Sequence, residues 1–263
     1  MAFVDANGWT DSDYRVLARE ACKGHFRPED WLCVSANESG LVVRRDTVGA
    51  DGKIFRGSGT FAQFTNKNGS AGARGLTQMM PATLKGLGFV PGDADFDSSR
   101  GDYRELSVQQ QIVWSGKYFK ATGVRSWNSA GDLYLANFMP GRLGHKDDPD
   151  FQLAVAPTRN YTDNIGFDRK DADGKRKGFI TVGDVGRAAA ASFSSYPYKQ
   201  AALSLNSVRQ MRLNECLTTR EPLTTDGLIG PISLSRVKEF RYAAGLPLFG
   251  GFDAVVDTAL FGE

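Results

Sequence analysis

Glu38 closes the stretch Trp31-Leu-Cys-Val-Ser-Ala-Asn-Glu38-Ser39-Gly40, with apolar residues before it and small ones after it. The pattern predicts a helix over 28–39. Pro28 suits a first turn because its missing N–H would be unpaired there anyway. Glu29 and Asp30 place negative charge where the helix dipole favours it. A glutamate at the opposite end works against that dipole, so helix stability gives no reason for Glu38. Behind its apolar lead-in, the Glu38 carboxyl is expected to be half-buried with a raised pKa, as a general acid at neutral pH requires. If a second carboxylate assists, Asp46 and Asp51 are the nearest candidates. Further on, Arg74-Gly-Leu-Thr-Gln-Met-Met-Pro-Ala-Thr83 holds Gln78, which can both donate and accept hydrogen bonds. Cys33 and His25 form a nucleophile–base pair on paper only, because Cys33 lies among core-type residues where thiols are inert.

These residues need a scaffold. Asp11 is read as the cap of a first helix ending near Lys23-Gly24. Its short connection to the Pro28–Ser39 helix predicts an antiparallel pair. From Leu41 to Ala73 the texture changes to short strands and loops, with a turn at Asp51-Gly52 and a strand at Thr60–Thr65. Pro81 starts a helix that Gly86-Leu-Gly88 ends. Ser107-Val-Gln-Gln110 has capping-box spacing and leads into a helix ended by Gly123, and Asp132 begins another. The stretch Asp168-Arg-Lys-Asp171-Ala-Asp173-Gly174 is similar to a calcium-binding EF-hand loop. Lys175, Arg176 and Lys177 interrupt its carboxylates and no Glu closes it, so it reads as an ion-free turn. Ala188–Ser195 reads as a helix end or linker.

The chain has 263 residues, 41% hydrophobic and 24% charged, which fits a globular protein with one main domain and a small satellite. A net charge of +2 is too weak to argue for nucleic acid, yet does not oppose an anionic polymer. No apolar run approaches a membrane span, and the N-terminus lacks signal-peptide character, so synthesis in the cytoplasm is expected. Cys22, Cys33 and Cys216 are odd in number and widely spaced, and His25 and His145 are the only histidines, so neither a disulfide framework nor a metal site is expected. No cofactor is implied.

Glu38-Ser39 followed by Gly75-Leu-Thr-Gln78-Met79-Met-Pro81-Ala-Thr83 resembles the Glu-Ser and Gly-Leu-Met-Gln-x-x-Pro-x-Thr pair of the soluble lytic transglycosylases, lysozyme-like enzymes that cut peptidoglycan glycan strands. The gap between the two motifs is longer here than in short family members, as an insertion in the smaller lobe would make it. Where the family has Ala-Tyr-Asn-Ala-Gly, this chain has Tyr134-Leu-Ala-Asn137-Phe-Met-Pro, which resembles a variant in phage and tail proteins. Thr225-Asp-Gly-Leu-Ile-Gly-Pro231 and the helix after it look like a three-helix peptidoglycan-binding module, with Ser233 and Arg241 in place of the usual Thr and Gln.

The resemblance implies a mainly α, lysozyme-like fold with a small β-containing lobe. It implies a catalytic domain over 1–195, a wall-binding module over 203–248 and a tail over 249–263. Glu38 would be the single acid and base, protonating the leaving oxygen and leaving a 1,6-anhydromuramoyl end. Ser39, Gln78, Met79, Tyr134 and Asn137 would bind the glycan. The partner would be peptidoglycan glycan strands, with other virion proteins as further partners if the chain travels in a phage particle. A monomer is expected, reaching the wall after release or in the virion, without membrane insertion. Two alternatives stay open: a hydrolytic muramidase using Asp46 or Asp51, and a wall-binding virion protein that does not cut. A wall amidase or peptidase fits poorly, for want of paired His ligands.

Overall fold

A computed structural model describes residues 4–41, 46–48, 54–56, 75–89, 106–218 and 220–262, with the two short strands given by their backbone. Asp51 and the expected strand at 60–65 lie outside the described residues. The architecture is mainly helical with little strand. In chain order it runs α1 (Asp11–Gly24), α2 (Pro28–Ser39), β1 (Asp46–Val48), β2 (Ile54–Arg56), α3 (Pro81–Gly86), α4 (Val108–Ala121) and α5 (Ala130–Phe138). A 3-10 turn (Pro140–His145) leads to β3 (Gln152–Val155), α6 (Arg159–Asp163), β4 (Phe179–Thr181), α7 (Val182–Ser192) and α8 (Tyr196–Cys216). The chain ends with α9 (Pro231–Ala243) and α10 (Ala254–Phe261). No helix among the described residues is long and apolar enough to cross a membrane.

Local chemistry explains most helix ends. Thr10, rather than Asp11, caps α1, because Thr10 and Asp13 bond each other's backbone reciprocally and leave Asp11 in the first turn. Ser107 and Gln110 close the expected box on α4. Ser129 caps α5, three residues before the expected start at Asp132. In α2, Pro28 opens the helix and Gly40 ends it in the left-handed region at φ 66°.

The antiparallel pairing of α1 with α2 is not what the structure adopts. The two helices touch, but α1 packs mainly on α4, and α2 on α5 and α7. Their apolar faces go where more surface can be covered. Gly116 lets α4 approach Glu20 of α1, and Gly131 lets α5 approach the backbone of Gly186 in α7. One continuous core results, with Trp9 edge-on to Trp31 at 5.9 Å and Phe119 between Phe26 and Trp127.

β1 and β2 pair antiparallel, within the expected excursion. A second antiparallel pair, β3 with β4, flanks the segment that is similar to an EF-hand loop. There Asp168 is fully buried and accepts bonds from the Tyr161 hydroxyl (2.8 Å) and the N–H groups of Lys177 (3.2 Å) and Gly178 (2.8 Å). Burial alone would raise its pKa, but these donors bring it below the ordinary carboxylate range. Asp171 accepts from the N–H groups of Asp173 and Lys175, and Asp184 pairs with Lys177. The acidic side chains thus serve the loop's own backbone, Lys177 and, through Asp184, Arg187 and the cap of α7. Among the described residues, no group of three or more His, Cys, Asp or Glu is placed to hold a metal ion.

The C-terminal quarter, from α8 on, is joined to the body by contact as well as by chain. α8 packs on α1 and α2 as well as on α9, and α10 returns onto α1 and α8. Gln210 of α8 organises the Asp226-Gly227 turn: its Oε1 accepts from Gly227 N–H (2.9 Å), and its Nε2 donates to the Leu228 carbonyl (2.9 Å) and Ser233 Oγ (3.2 Å). Gly227 sits at φ +78°, where a Cβ would lie 2.2 Å from the Leu203 carbonyl oxygen. Only glycine fits there. Gly227→Ala is expected to cost about 1–3 kcal/mol, read as a lower midpoint in urea unfolding.

Candidate active site

α2 delivers Glu38 to the site, and the turn after it is held from several sides. Gly40 N–H bonds back to the Ala36 carbonyl at 3.0 Å. Ser39 Oγ donates to the Ser35 carbonyl at 2.8 Å and accepts from Leu41 N–H at 3.3 Å. Trp9 Nε1 donates to the Leu41 carbonyl at 2.9 Å. Leu41 is fully buried with φ 59°, and the non-glycine residues with positive φ among the described ones are His25, Leu41 and Gln78. Two of these three adjoin or belong to the motif pair singled out in the sequence. Backbone strain of that kind concentrates at functional sites.

Glu38 is half-buried. Burial pushes its carboxyl above the ordinary range, and a hydrogen bond from the Tyr134 hydroxyl pulls it partly back. Tyr134 comes from α5, and burial followed by the nearby Glu38 charge raises its phenol well above the usual value. It therefore stays protonated and acts as a donor to the carboxylate. Asn37 also bonds the Tyr134 hydroxyl, from its Nδ2. On the far side of Tyr134, Phe167 packs at 5.6 Å between ring centres and meets Phe138 at 4.8 Å. Asn137, three residues on from Tyr134 and so on the same face of α5, is half-buried, with no side-chain hydrogen bond among the described residues.

The second motif is mounted on α4. Gln111 Oε1 accepts from Leu76 N–H at 2.9 Å, and Ser115 Oγ meets Thr77 Oγ1 at 3.2 Å. Tyr118, on the same face one turn further, donates to the carbonyl of Ala136 in α5. Positions 111, 115 and 118 share one stripe of the helix, so one face of α4 fixes both the Gly75–Met79 turn and the segment carrying Tyr134 and Asn137. Gln78 is half-buried at φ 51°, with its Nε2 folded back onto the Gly75 carbonyl at 2.9 Å. Met79 is buried.

The structure thus brings Glu38 and Tyr134 into contact, sets Asn137 beside Tyr134, and holds Gln78 through α4. Ser39 serves the end of its own helix. Asp46 lies on β1, where the backbone alone is described. Cys33 is fully buried, its thiol donates to the Ala189 carbonyl at 2.8 Å, and burial pushes its pKa up to about 12. His25 caps α1 at the surface. A Cys33–His25 nucleophile is excluded on both counts.

Asn37 and Phe167 were not foreseen. Phe167 lies beyond any local motif, while Asn37 could have drawn notice as the polar neighbour of Glu38. In the C-terminal unit, a groove of about 430 Å³ is lined by residues including Leu223, Asp226, Leu228, Ile232 and Arg236. Ser233 and Arg241, the two departures from the resembled module, lie beneath the surface. Ser233 is buried against Gln210, and Arg241 is buried and donates to the carbonyls of Pro247 (2.9 Å) and Gly251 (3.0 Å) and to Asp253. No family model, curated protein or solved structure matches the chain.

Tyr134→Phe removes the described donor to Glu38. A hydrogen bond to a charged group contributes about 1.5–3 kcal/mol, so a reaction that depends on the Glu38 carboxyl is expected to slow by about 10–100-fold. The Glu38 carboxyl is expected to titrate at higher pH, as followed by carbon NMR of the side-chain carboxyls.

Proposed function

We propose that this chain is a lytic transglycosylase of lysozyme-like fold, cutting the β-1,4 bond between N-acetylmuramic acid and N-acetylglucosamine in peptidoglycan. The observation that carries the reading is the contact between Glu38 and Tyr134. It joins residues of two motifs 96 positions apart, and each motif separately resembles a part of that family's site. Glu38, raised by burial, protonates the oxygen that leaves with the glucosamine. The resulting carboxylate, steadied by the Tyr134 hydroxyl, then takes the proton of the muramoyl 6-hydroxyl. That oxygen closes on the anomeric carbon, so the proton returns to Glu38 and no water is added. Gln78 and Asn137 are the residues we assign to holding the glycan. The C-terminal unit, with exposed Leu228, Ile232 and Tyr242 around its grooves, is assigned to wall contact.

The test is to incubate the purified chain with purified sacculi and measure release of soluble muropeptides. Release by the natural chain and none by Glu38→Gln is the expected result. Intact sacculi after incubation with the natural chain would overturn the reading.

A further inference from the structure

A tyrosine hydroxyl has one proton and can accept from two sides. At Tyr134 one acceptor position is taken by Asn37 Nδ2, while the proton goes to Glu38. Asn37 is oriented in turn by Ser192 at the end of α7, whose hydroxyl donates to Asn37 Oδ1 at 3.2 Å. Were the Asn37 amide reversed, its oxygen would face the Tyr134 hydroxyl and compete with Glu38 for the single proton. Ser192 is buried, and its hydroxyl lies nearer to Asn37 Oδ1 than to the competing acceptor, the Ala188 carbonyl one turn back at 3.4 Å. Asn37, Tyr134 and Ser192 come from α2, α5 and α7, so the chain of bonds ties the ends of α2 and α7 to the middle of α5 beside the carboxylate.

We infer that Asn37, oriented by Ser192, is a positioning residue that sets the direction of the Tyr134 hydroxyl and commits its proton to Glu38. The inference rests on the assignment of Glu38 as the acid and base. Asn37 touches no reacting atom and acts only through Tyr134. When Glu38 has given up its proton, a directed donor holds the carboxylate in the geometry needed to take the next one. Charged neighbours do not supply this alignment. Among the described residues, Tyr134 acts on Glu38, and Glu38 and Cys33 act on Tyr134. On α7, Asp184 and Arg187 pair with each other near its start, and Arg209 of α8 meets α2 at Glu29, the far end from Glu38.

Asn37 is exposed on its helix, and alanine is the best helix former, so Asn37→Ala is expected to keep the fold and the Tm. The experiment is a double-mutant cycle with Tyr134→Phe, reading kcat and KM on soluble glycan strands and the Glu38 titration by carbon NMR. In the natural background, Asn37→Ala is expected to lower kcat by about 3–10-fold with KM unchanged and to move the Glu38 midpoint up. With Tyr134→Phe in place, it is expected to change neither by more than about twofold. Ser192→Ala is expected to act in the same direction and more weakly. An Asn37→Ala protein with natural kcat and an unmoved Glu38 midpoint would overturn the inference, as would an equal loss in both backgrounds. The titration needs no substrate, so it tests this bond network even if the chain proves unable to cut glycan.

Discussion

Glu38→Gln is expected to lower muropeptide release from sacculi by about 10³-fold or more, while leaving the protein folded. General acid–base groups contribute about 10²–10⁴-fold to rate, and here one carboxyl is assigned both proton transfers. Glutamine keeps the size of the side chain and can still accept from Tyr134, but it can neither give nor take the proton. The same substitution is expected to stabilise the fold at neutral pH. Burial raises the folded-state pKa of Glu38 above its unfolded value, so the unfolded chain ionises more readily. The fold is therefore undisturbed by this group below the unfolded pKa and loses stability as pH climbs toward and through the folded value. Glutamine never ionises and escapes that loss. Scanning calorimetry should show the variant about 1–4 °C above the natural chain at pH 7, with the two converging near pH 3. A lower Tm at pH 7 would mean that the carboxylate is held by favourable partners rather than disfavoured by burial.

Arg209→Ala is expected to destabilise the protein by about 3–5 kcal/mol at pH 7, the usual cost of breaking a buried ion pair from one side. Arg209 is 2% exposed. Its Nε donates to Asp257 at 2.8 Å, a second nitrogen also meets Asp257, and a third reaches Glu29 at 2.5 Å. It thereby links α8, α10 and the start of α2, the helix whose other end carries Glu38. Without the guanidinium, Asp257 stays buried with no counter-ion, and burial already raises its pKa in the intact protein. For Glu29, burial would raise the pKa but Arg209 holds it below the usual range, so that part of the pairing acts above the ordinary carboxylate pKa and fades as pH falls through the lower folded value. Urea unfolding at pH 7 and at pH 3.5 checks both points. A large loss at pH 7 that shrinks at pH 3.5 is expected, together with faster proteolysis between α9 and α10. An unchanged midpoint at pH 7 would show that α10 is held by its apolar contacts alone.

The parts legible in the sequence are those set by a few neighbouring residues. The bounds of α2 follow from Pro28 and Gly40, and the start of α4 from the Ser107–Gln110 box. The Tyr134–Asn137 spacing, which departs from the adjacent Tyr-Asn of the resembled family, still puts both residues on one helical face, one turn apart. Adjacency along the chain and adjacency on a helix are different things, and α5 uses the second. Partners distant in sequence were out of reach. No local pattern tells α1 to prefer α4 over α2, or pairs β3 with β4 across the Asp168 loop. The Asn37–Ser192 bond spans 155 positions and the Arg209–Glu29 pair 180, and both depend on which helix faces cover the core. Thr10 and Asp11 are both good caps by residue type, and Asp13 at the third helical position decides for Thr10.

The most direct test of the central claim is mass spectrometry of the muropeptides released from purified sacculi. A single working carboxylate with an internal nucleophile predicts products one water lighter than those of a hydrolase, with 1,6-anhydromuramoyl ends that borohydride does not reduce, all absent with Glu38→Gln. Products with ordinary reducible ends would contradict it and would direct attention to Asp46 and Asp51 as a second carboxylate that activates water.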